Sequence, residues 1–522
     1  MRTRDGRLKH YTTGEMMLLF VLGLGASAHA LSAQTTSPEN LSQQIDKLTE
    51  SMARTQAQVE QSQRQLDEMR KELTALQAQM TQGASAPKLP GPPVASPPAQ
   101  GESSSKAIEQ LGERQSIQES QIATHEQTKV ESESKYPVKI TGLLLFTGFV
   151  NTRAVDMAVT PTLALPGSGS TGASLRQTVV GFDARGPHLF GARSSADLRV
   201  DFDGSPQPAN AITNYTGYYN ANSTLLRLRT AHAALQWNRT EAYFSLDRPI
   251  FSPETPTSLT AVAIPALAWS GNLWTWNPQI GVTQDLAHGD SRNLRFQAAL
   301  IDVGDAPLSP LITTQGTTTS ATSPSAAEQS RWPGLEARVA LLGSKDNNDS
   351  SHFGLGGYFS PHHSLGYNYD AWAGTADARL ALPAHLQLTG NFYRGLALGG
   401  LGGGAYKDFA FYVEAVSNRS YFRPLDDVGG WIQLKEKPTE RLEFNAAFGL
   451  DNVFAGELRR YAVPGGAMDQ NLARNRTFTG NAIYSPSSSL MFSLEYRHLQ
   501  SIPVIGAPAS TNIIGLGAGY KF

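Results

Sequence analysis

The final stretch of the chain, residues 511–522, constrains the fold more than any other segment. It reads TNIIGLGAGYKF, and side chains alternate between the two faces of a strand. One face would be apolar up to the carboxyl terminus, and it carries Ile514, Leu516, Ala518, Tyr520 and Phe522. A free apolar strand at a chain end promotes aggregation in a soluble protein. The stretch therefore favours a closed barrel in lipid with its apolar face outward, with a surface strand of a soluble sandwich as the alternative.

The same alternation recurs along the chain from residue 138 onward. Charged or polar residues alternate with bulky apolar ones in ADLRVD (196–201), LLRLRTAH (225–232), NLRFQAAL (293–300), LEFNAAF (442–448) and LMFSLEYRH (490–498). Alternating segments of about ten residues are typical of a membrane barrel. Periodicity alone also fits a soluble sandwich, whose apolar faces pack on a second sheet.

Strand counting predicts an all-β fold, a sixteen-stranded antiparallel transmembrane barrel. The predicted strands lie near residues 138–150, 174–185, 192–203, 225–237, 241–249, 276–285, 292–303, 334–344, 352–360, 370–382, 384–395, 429–437, 440–452, 473–485, 488–499 and 511–522. Short and long connections alternate, as they do in such barrels. Residues 407–416 also look like a strand, but counting them gives an odd number, so we assign them to the sixth outer loop. Fourteen or eighteen strands remain alternatives.

Composition excludes several classes of function. The chain has 522 residues, with 43 basic and 45 acidic side chains, so its charge balance argues against a nucleic-acid partner. It has no cysteine, which excludes disulfides, thiolate metal sites and a thiol nucleophile. No apolar run after the N-terminal region reaches the roughly 20 residues that a transmembrane helix needs.

The first part of the chain divides into four segments ahead of the barrel. Residues 1–30 have the basic start, short apolar core and Ala-His-Ala ending of a secretory signal peptide. Cleavage after Ala33, or an uncleaved anchor, is the alternative. Residues 41–81 keep apolar residues at heptad positions and predict a coiled coil, although a lone amphipathic helix has a similar pattern. Residues 82–106 are a Pro-rich linker, residues 107–135 a weaker helix, and residues 137–522 the barrel.

The segment 249–278 is the most specific in the chain. It lies between two predicted strands and holds five prolines and three tryptophans. Long loops with such composition fold onto the protein more often than they extend into solvent. With the coiled coil, the barrel opening KITGLLLFTGFVNT, the block NLWTWNPQI and the C-terminal phenylalanine, the chain resembles the trimeric outer-membrane porins of the phosphate-selective porin O/P and DcaP-like group. The C-terminal strand resembles the last strand of bacterial outer-membrane barrels. Those strands end in an aromatic residue, usually phenylalanine, which the insertion machinery recognises.

The resemblance implies that this third loop folds inward and narrows a pore. The expected pore-lining and constriction residues are Arg199, Arg227, Arg229, Arg295, Trp274 and Glu254, the glutamate directly before Thr255. Trp274 could instead belong to an aromatic belt at the membrane interface. Arg227 and Arg229 form the only inward pair on one strand without an acid, and at a constriction they would attract small anions. A structural ladder of arginines paired with acids across strands is the alternative, and the family's basic ladder is not evident here.

Other motifs predict no catalytic residue, metal site or cofactor. The glycine-rich segment 398–408 lacks the Gly-Lys-Ser/Thr ending of a phosphate loop and predicts a flexible outer loop. His362-His363 has no carboxylate at ligand spacing, so we expect two loop histidines rather than a metal site. No GxSxG element is present for a hydrolase.

Together these observations predict a porin, not an enzyme. It would sit in the outer membrane of a Gram-negative type bacterium and pass small hydrophilic solutes, anions among them, through a homo-oligomeric, trimeric barrel. The coiled coil would lie in the periplasm, assist assembly or reach peptidoglycan. A barrel-anchored tether or adhesin and a barrel enzyme are the alternatives. The sequence leaves open the solute, the ion preference, the choice between dimer and trimer, and the partner of the coiled coil.

Overall fold

The computed structural model describes Lys71 and the ranges 137–204, 225–288, 292–307, 324–343, 351–414, 416–462, 464–465 and 471–522. The predicted signal peptide, linker and weak helix lie outside the described residues, as does the predicted coiled coil apart from Lys71. Among the described residues, no helix combines the length and the apolar character needed to cross a bilayer.

Among the described residues, nearly all of the regular structure is β-strand. The strands are β1 (Val138–Val155), β2 (Ala164–Ser174), β3 (Val179–Leu189), β4 (Ala192–Gly204), β5 (Leu225–Gln236), β6 (Thr240–Asp247), β7 (Asn277–His288), β8 (Arg292–Ile301), β9 (Gly334–Leu342), β10 (His352–Ser364), β11 (Tyr367–Leu382), β12 (Leu386–Leu396), β13 (Phe409–Val413), β14 (Ser420–Pro424), β15 (Asp426–Thr439), β16 (Leu442–Val453), β17 (Leu472–Tyr484), β18 (Leu490–Pro503) and β19 (Ala509–Lys521). Short helices α1 (Ala326–Ser330) and α2 (Ala455–Leu458) and the 3₁₀ turns Gly399–Leu401 and Gly404–Tyr406 lie between strands.

The large sheet closes into an antiparallel barrel. Seventeen of the strands form it, and β13 and β14 pair only with each other. Strands β2 and β3 occupy one position beside β1, because β2 pairs with its second half and β3 with its first. The described residues therefore form a sixteen-stranded barrel, closed where β1 pairs with β19. The predicted strand number is confirmed, and residues 407–416 lie outside the barrel sheet as expected.

Two connections differ from the sequence prediction. Strand β1 continues to Val155, and β2 begins at Ala164, so the loop expected over 151–173 is mostly strand. Strands β10 and β11 meet in a tight turn at Leu365 and Gly366, both with positive φ. Such a turn matches the twist of an antiparallel pair, which explains why the loop expected there is so short.

The outer surface of the barrel is apolar, as the alternation predicts. On β19, Ile514, Leu516 and Tyr520 are 45%, 56% and 52% exposed, whereas their neighbour Ile513 is buried inside. Exposed leucine, phenylalanine, valine and isoleucine side chains recur on β5, β8, β9, β10, β12 and β15 to β18. A closed barrel with an apolar outer face and a polar interior is suited to a lipid bilayer.

The two ends of the barrel differ in their connections. The barrel begins at Val138 and ends at Phe522 on one side, where Phe522 exchanges two backbone hydrogen bonds with Gly142. Tight turns such as Phe190-Gly191 join strands at this end. The long connections lie at the opposite side, which we call the loop end. One of them, between β6 and β7, turns back into the barrel and forms the candidate site.

Candidate functional site

A long loop between β6 and β7, residues 248–276, fills much of the barrel interior; we call it the constriction loop. Most of its residues from Phe251 to Trp274 are buried. Four prolines, at positions 249, 253, 256 and 265, lack backbone N–H groups and cannot extend a ladder. The segment therefore leaves the sheet and crosses the lumen, the inward fold that the family resemblance implied.

Gln177 anchors the middle of the constriction loop. This fully buried side chain lies between β2 and β3. Its carboxamide oxygen accepts from Val262 N at 2.7 Å and Ala263 N at 3.0 Å, and its nitrogen donates to Thr260 O at 2.8 Å. Buried backbone groups need partners, and this one side chain satisfies three of them.

Glycines let the far part of the constriction loop touch the wall directly. Gly271 has φ +97°, and a Cβ there would lie 2.1 Å from the carbonyl oxygen of Gly430 on β15. A Cβ on Gly449 of β16 would lie 2.1 Å from the carbonyl oxygen of Ser270. Neither position tolerates a larger residue without movement of backbone, so loop and wall are matched here.

The same packing explains the glycines on the inner face of the last strand. A Cβ on Gly515 would lie 3.0 Å from Thr260, and one on Gly517 would lie 3.2 Å from Leu259. Both contacts are tighter than most that a Cβ makes. The alternating glycines of β19 thus leave room for the constriction loop.

Polar groups on β9 to β18 fix the remaining backbone of the loop. Glu254 of the loop is bonded to Arg379 at 2.6 Å and His352 at 3.2 Å. Its neighbour Thr255 accepts from Asn272 within the loop. Further contacts are Ile250 N to Glu336, Ser258 to Glu495, Asn481 to Thr257 O and Asn475 to Trp269 O. This side of the barrel is packed with protein from β9 to β19.

The opposite side, the inner faces of β3 to β8, is charged and partly exposed; we call it the charged wall. Its ionisable side chains are mostly paired across neighbouring strands. The pairs are Arg199 with Asp183 at 2.5 Å, Arg227 with Asp201 at 2.7 Å, Arg295 with Asp285 at 2.7 Å and His232 with Glu241 at 3.0 Å. The alternative of a structural ladder, in which arginines pair with acids across strands, therefore applies to Arg199, Arg227 and Arg295.

The expectation that Arg227 lacks an acid is wrong. Its guanidinium makes two bonds to Asp201, at 3.0 and 2.7 Å, and a third to Ala263 O of the constriction loop at 2.9 Å. The pairing depends on bulges in the β4–β5 ladder, which bring Asp201 opposite Arg227. The charge of Arg227 is thus neutralised, and its side chain links the charged wall to the constriction loop.

Arg229 differs from the other predicted arginines. Its Nη1, like Nη1 of Arg248 at the start of the constriction loop, is buried without a hydrogen-bond partner among the described residues. The guanidinium carbons of Arg227 and Arg229 each lie 5.1 Å from the ring centre of Trp276. Stacking on an aromatic face stabilises a guanidinium without neutralising it. Positive charge is therefore least compensated around Arg229, Arg248 and Trp276.

Trp274 lies inside the barrel, so the membrane-belt alternative is wrong for this residue. It is buried and meets Trp269 and Trp276 edge to face, at ring-centre distances of 6.2 and 5.4 Å. Its backbone N donates to Leu401 O at 3.0 Å. Leu401 belongs to the glycine-rich segment 398–408, which we call the lid.

The prediction that residues 398–408 are a flexible outer loop is wrong. Leu398, Leu401 and Ala405 are almost completely buried, and the ring of Tyr406 stacks on Trp269 at 4.3 Å. A Cβ on Gly400 would lie 2.2 Å from Gly304 O. The glycines therefore serve close packing over the constriction loop.

The remaining histidine prediction also needs correction, because His362 and His363 lie in β10 rather than in a loop. His362 is buried with neither ring nitrogen bonded, and His363 is bonded to Asn368 at 2.6 Å. Within the described ranges, no three His, Asp or Glu side chains are arranged to hold a metal ion.

Sequence reasoning missed Gln177, Arg248 and the buried acids beneath the lid. The position of Gln177 between two short strands gave no periodic signal. Arg248 directly follows an aspartate at a strand end, which resembles an ordinary solvent-exposed turn. Only the inward course of the constriction loop gives both residues their contacts.

Comparisons with known proteins support the fold. No family model and no curated protein matches the chain. Among solved structures, the outer membrane channel DcaP of Acinetobacter baumannii is similar at 18% identity and a TM-score of 0.53, covering 74% of this chain and 99% of that one. The anion-selective porin of Comamonas acidovorans and Pseudomonas putida OprB each show 10% identity and a TM-score of 0.44, covering 74% of this chain and 100% and 94% of theirs. The chain shares the fold of the outer membrane channel DcaP.

Proposed function

We propose that the protein is an outer-membrane porin that passes small hydrophilic solutes by passive diffusion. One observation carries the proposal. Paired arginines on the charged wall keep 27 to 34% of their side-chain surface exposed. On the packed side Arg338 and Arg497 keep only 5 and 7%, and Arg379, at 37%, is the exception. The constriction loop thus leaves a wetted passage along β3 to β8.

Barrel size and fold support this passage. Barrels of 16 to 18 strands are wide enough for an aqueous channel. A loop that folds inward reduces that width to a size suited to small solutes. The outer membrane channel DcaP has the same fold. Anchors and barrel enzymes do not need a loop that narrows the lumen while leaving one charged side free.

We further propose a preference for anions, set at Arg229 and Arg248. The acids on the charged wall neutralise Arg199, Arg227 and Arg295. The unpaired guanidinium groups of Arg229 and Arg248 remain, in a site where low-dielectric walls strengthen their field. This proposal includes the predicted pore-lining role of the six candidate residues, which are Arg199, Arg227, Arg229, Arg295, Trp274 and Glu254.

Assembly completes the proposal. We expect a homotrimer surrounded by lipid, with the heptad segment 41–81 in the periplasm. An apolar heptad stripe is stable only with partner helices. Contact with peptidoglycan is a further proposal for that segment. Sedimentation of the detergent-solubilised full chain tests the trimer: a mass three times that of the monomer supports it, and a monomer contradicts it.

Solute flux into liposomes tests both claims about transport. The refolded full chain is compared with empty liposomes for arabinose, then for gluconate against N-methylglucamine as an anion and a cation of similar size. We expect arabinose entry and faster gluconate entry, with the anion advantage reduced in Arg229→Gln. Arabinose entry no faster than in empty liposomes contradicts the porin. Equal entry of the two ions contradicts the anion preference alone.

A further inference from the structure

The backbone of the lid is held by three buried carboxyl groups. Gly399 N and Gly400 N donate to Asp408 Oδ1 at 2.7 and 3.3 Å. Gly404 N donates to Asp427 Oδ2 at 2.6 Å, and Ala405 N donates to Asp451 Oδ2 at 2.7 Å. Asp408 is part of the lid, whereas Asp427 and Asp451 lie on β15 and β16. The carboxyl oxygens thus hold the lid at Gly404 and Ala405. The lid is also bonded at Tyr406, to the hydroxyl of Thr162, and at Lys407, whose Nζ donates to Leu472 O.

The lid rests directly on the constriction loop. Trp274 N donates to Leu401 O at 3.0 Å, and Thr275 Oγ1 donates to Gly400 O at 2.9 Å. The stacked rings of Tyr406 and Trp269 extend this contact. Any movement of the lid therefore changes what covers the constriction loop at the loop end of the barrel.

The lid is held in a conformation that its sequence does not favour. Ala405 and Tyr406 have φ of 46° and 70°, in the left-handed region that non-glycine residues rarely adopt. Surrounding contacts must maintain such a conformation. The carboxyl groups bonded to Gly404 N and Ala405 N lie at this point in the chain. Once the lid is released, this segment can relax toward a less strained backbone.

We propose that the lid is a proton-controlled gate, closed over the constriction loop when Asp408 is protonated and released when this carboxyl group ionises. The movement of the lid follows from its own contacts. Its effect on solute passage rests on the proposed porin function.

The direction of the response follows from burial. Burial raises the pKa of Asp408 to about 7, against an ordinary value of 3.8, despite the N–H donors that favour its charged form. The closed lid therefore binds a proton more tightly than an open, solvated one. Closure is most stable at acidic pH, and it weakens as pH rises from the ordinary pKa to the raised one.

Among the surrounding groups, the neighbouring acid Asp305 acts in this direction. The titratable and charged groups around the three carboxyls are Asp305 after β8, Tyr358 on β10, Tyr369 on β11, Arg394 and Tyr393 on β12, and Tyr406 and Lys407 of the lid. Asp305 is a second acid and repels an ionised Asp408. The Arg394 guanidinium bonds the carbonyl oxygens of Gly395 and Asp427 and the carboxylate of Asp426.

The second attachment point is also buried. Asp427 and Asp451 are completely buried. Oδ1 of Asp427 has no hydrogen-bond partner among the described residues. Both residues lie within barrel strands, so the pH response is assigned to Asp408 alone.

The size of the effect can be worked out for Asp408 alone. A group with a pKa of about 7 in the closed state and 3.8 in the open state changes the closing equilibrium roughly 100-fold between about pH 5 and pH 8. The response is large enough to measure in a chain with one altered residue.

Thiol labelling measures lid opening independently of transport. The chain has no cysteine, so Leu401→Cys introduces a single thiol at a position 1% exposed in the closed lid. Val416→Cys, at a position 99% exposed, corrects for the pH dependence of the reagent. In the refolded full chain, the ratio of labelling rates by a charged maleimide should rise up to roughly 100-fold from about pH 5 to pH 8.

Matched variants identify the carboxyl group. Asp408→Asn keeps an acceptor for Gly399 N without a charge, and the labelling ratio should stay low at every pH. Asp370→Asn, an exposed acid on β11, should keep the full response. A ratio constant with pH in the unaltered background overturns the proposal even if the Asn variant fails to fold. An undiminished response in Asp408→Asn also overturns it.

Conductance then separates the gate from the porin. If both proposals hold, the conductance of the wild-type protein in a planar bilayer rises from pH 5 to pH 8, and that of Asp408→Asn does not. Labelling that changes with pH in a protein that never conducts supports the gate and contradicts the porin. Conductance that is constant with pH while labelling is also constant contradicts the gate alone.

Discussion

Replacing Gln177 by leucine should release the constriction loop from the barrel wall. Gln177 is the only side chain bonded to Thr260 O, Val262 N and Ala263 N among the hydrogen bonds of the described residues. Leucine has a similar size but neither donates nor accepts. In Gln177→Leu the docked loop would hold three backbone groups that are buried without partners.

The cost follows from these three groups. A buried donor or acceptor left unpaired costs about 1–3 kcal/mol, so docking of the loop should weaken by roughly 3–9 kcal/mol. This is comparable with the whole stability of many small domains. The barrel strands keep their own ladders, so we expect the loop to move while the barrel stays closed. Water then satisfies the freed groups.

Single-channel recording in a planar bilayer measures the result. We expect Gln177→Leu to conduct more per channel than the wild type, because the loop no longer fills the lumen. Gln236→Leu is the matched control, since Gln236 is exposed near the short-turn end of β5, away from the constriction loop. Unchanged conductance in Gln177→Leu, with an unchanged unfolding temperature, would refute the assigned role of Gln177.

Three further changes test other contacts. Gly449→Val should raise the single-channel conductance, because its side chain would displace the constriction loop at Ser270 O; wild-type conductance would contradict the close contact. Glu254→Gln should lower the free energy of unfolding by about 1–3 kcal/mol in denaturant titrations, since a charge-assisted bond to Arg379 is lost, and no change would contradict that tie. Deletion of Phe522 should lower the unfolding temperature, because two backbone bonds to Gly142 close the barrel; an equal temperature would exclude a role in closure.

Alternation along the strands was sufficient to predict which residues face lipid. Leu226 and Leu228 are exposed outside while Arg227 and Arg229 lie within, because the period of two is a property of the strand itself. The strand number and the inward loop followed from connection lengths and from the resemblance. These features depend on local pattern, and local pattern is present in the sequence.

Pairing inside the barrel could not be predicted, because it depends on register. Asp201 meets Arg227 only because the β4–β5 ladder shifts on either side of this pair, and a bulge leaves little trace in composition. The lid shows the same limit. Glycines at 399, 400 and 402–404 fit either a flexible loop or close packing, and only the position of the constriction loop decides between them.

The most direct test of the central claim is planar-bilayer conductance of the refolded full chain, with the reversal potential measured under a salt gradient. The proposed porin predicts discrete conductance steps, in multiples of three for a trimer, and a reversal potential whose sign shows anion preference. A correctly folded barrel that never conducts, at pH 8 as well as pH 5, would contradict the account and favour a barrel that serves only as an anchor.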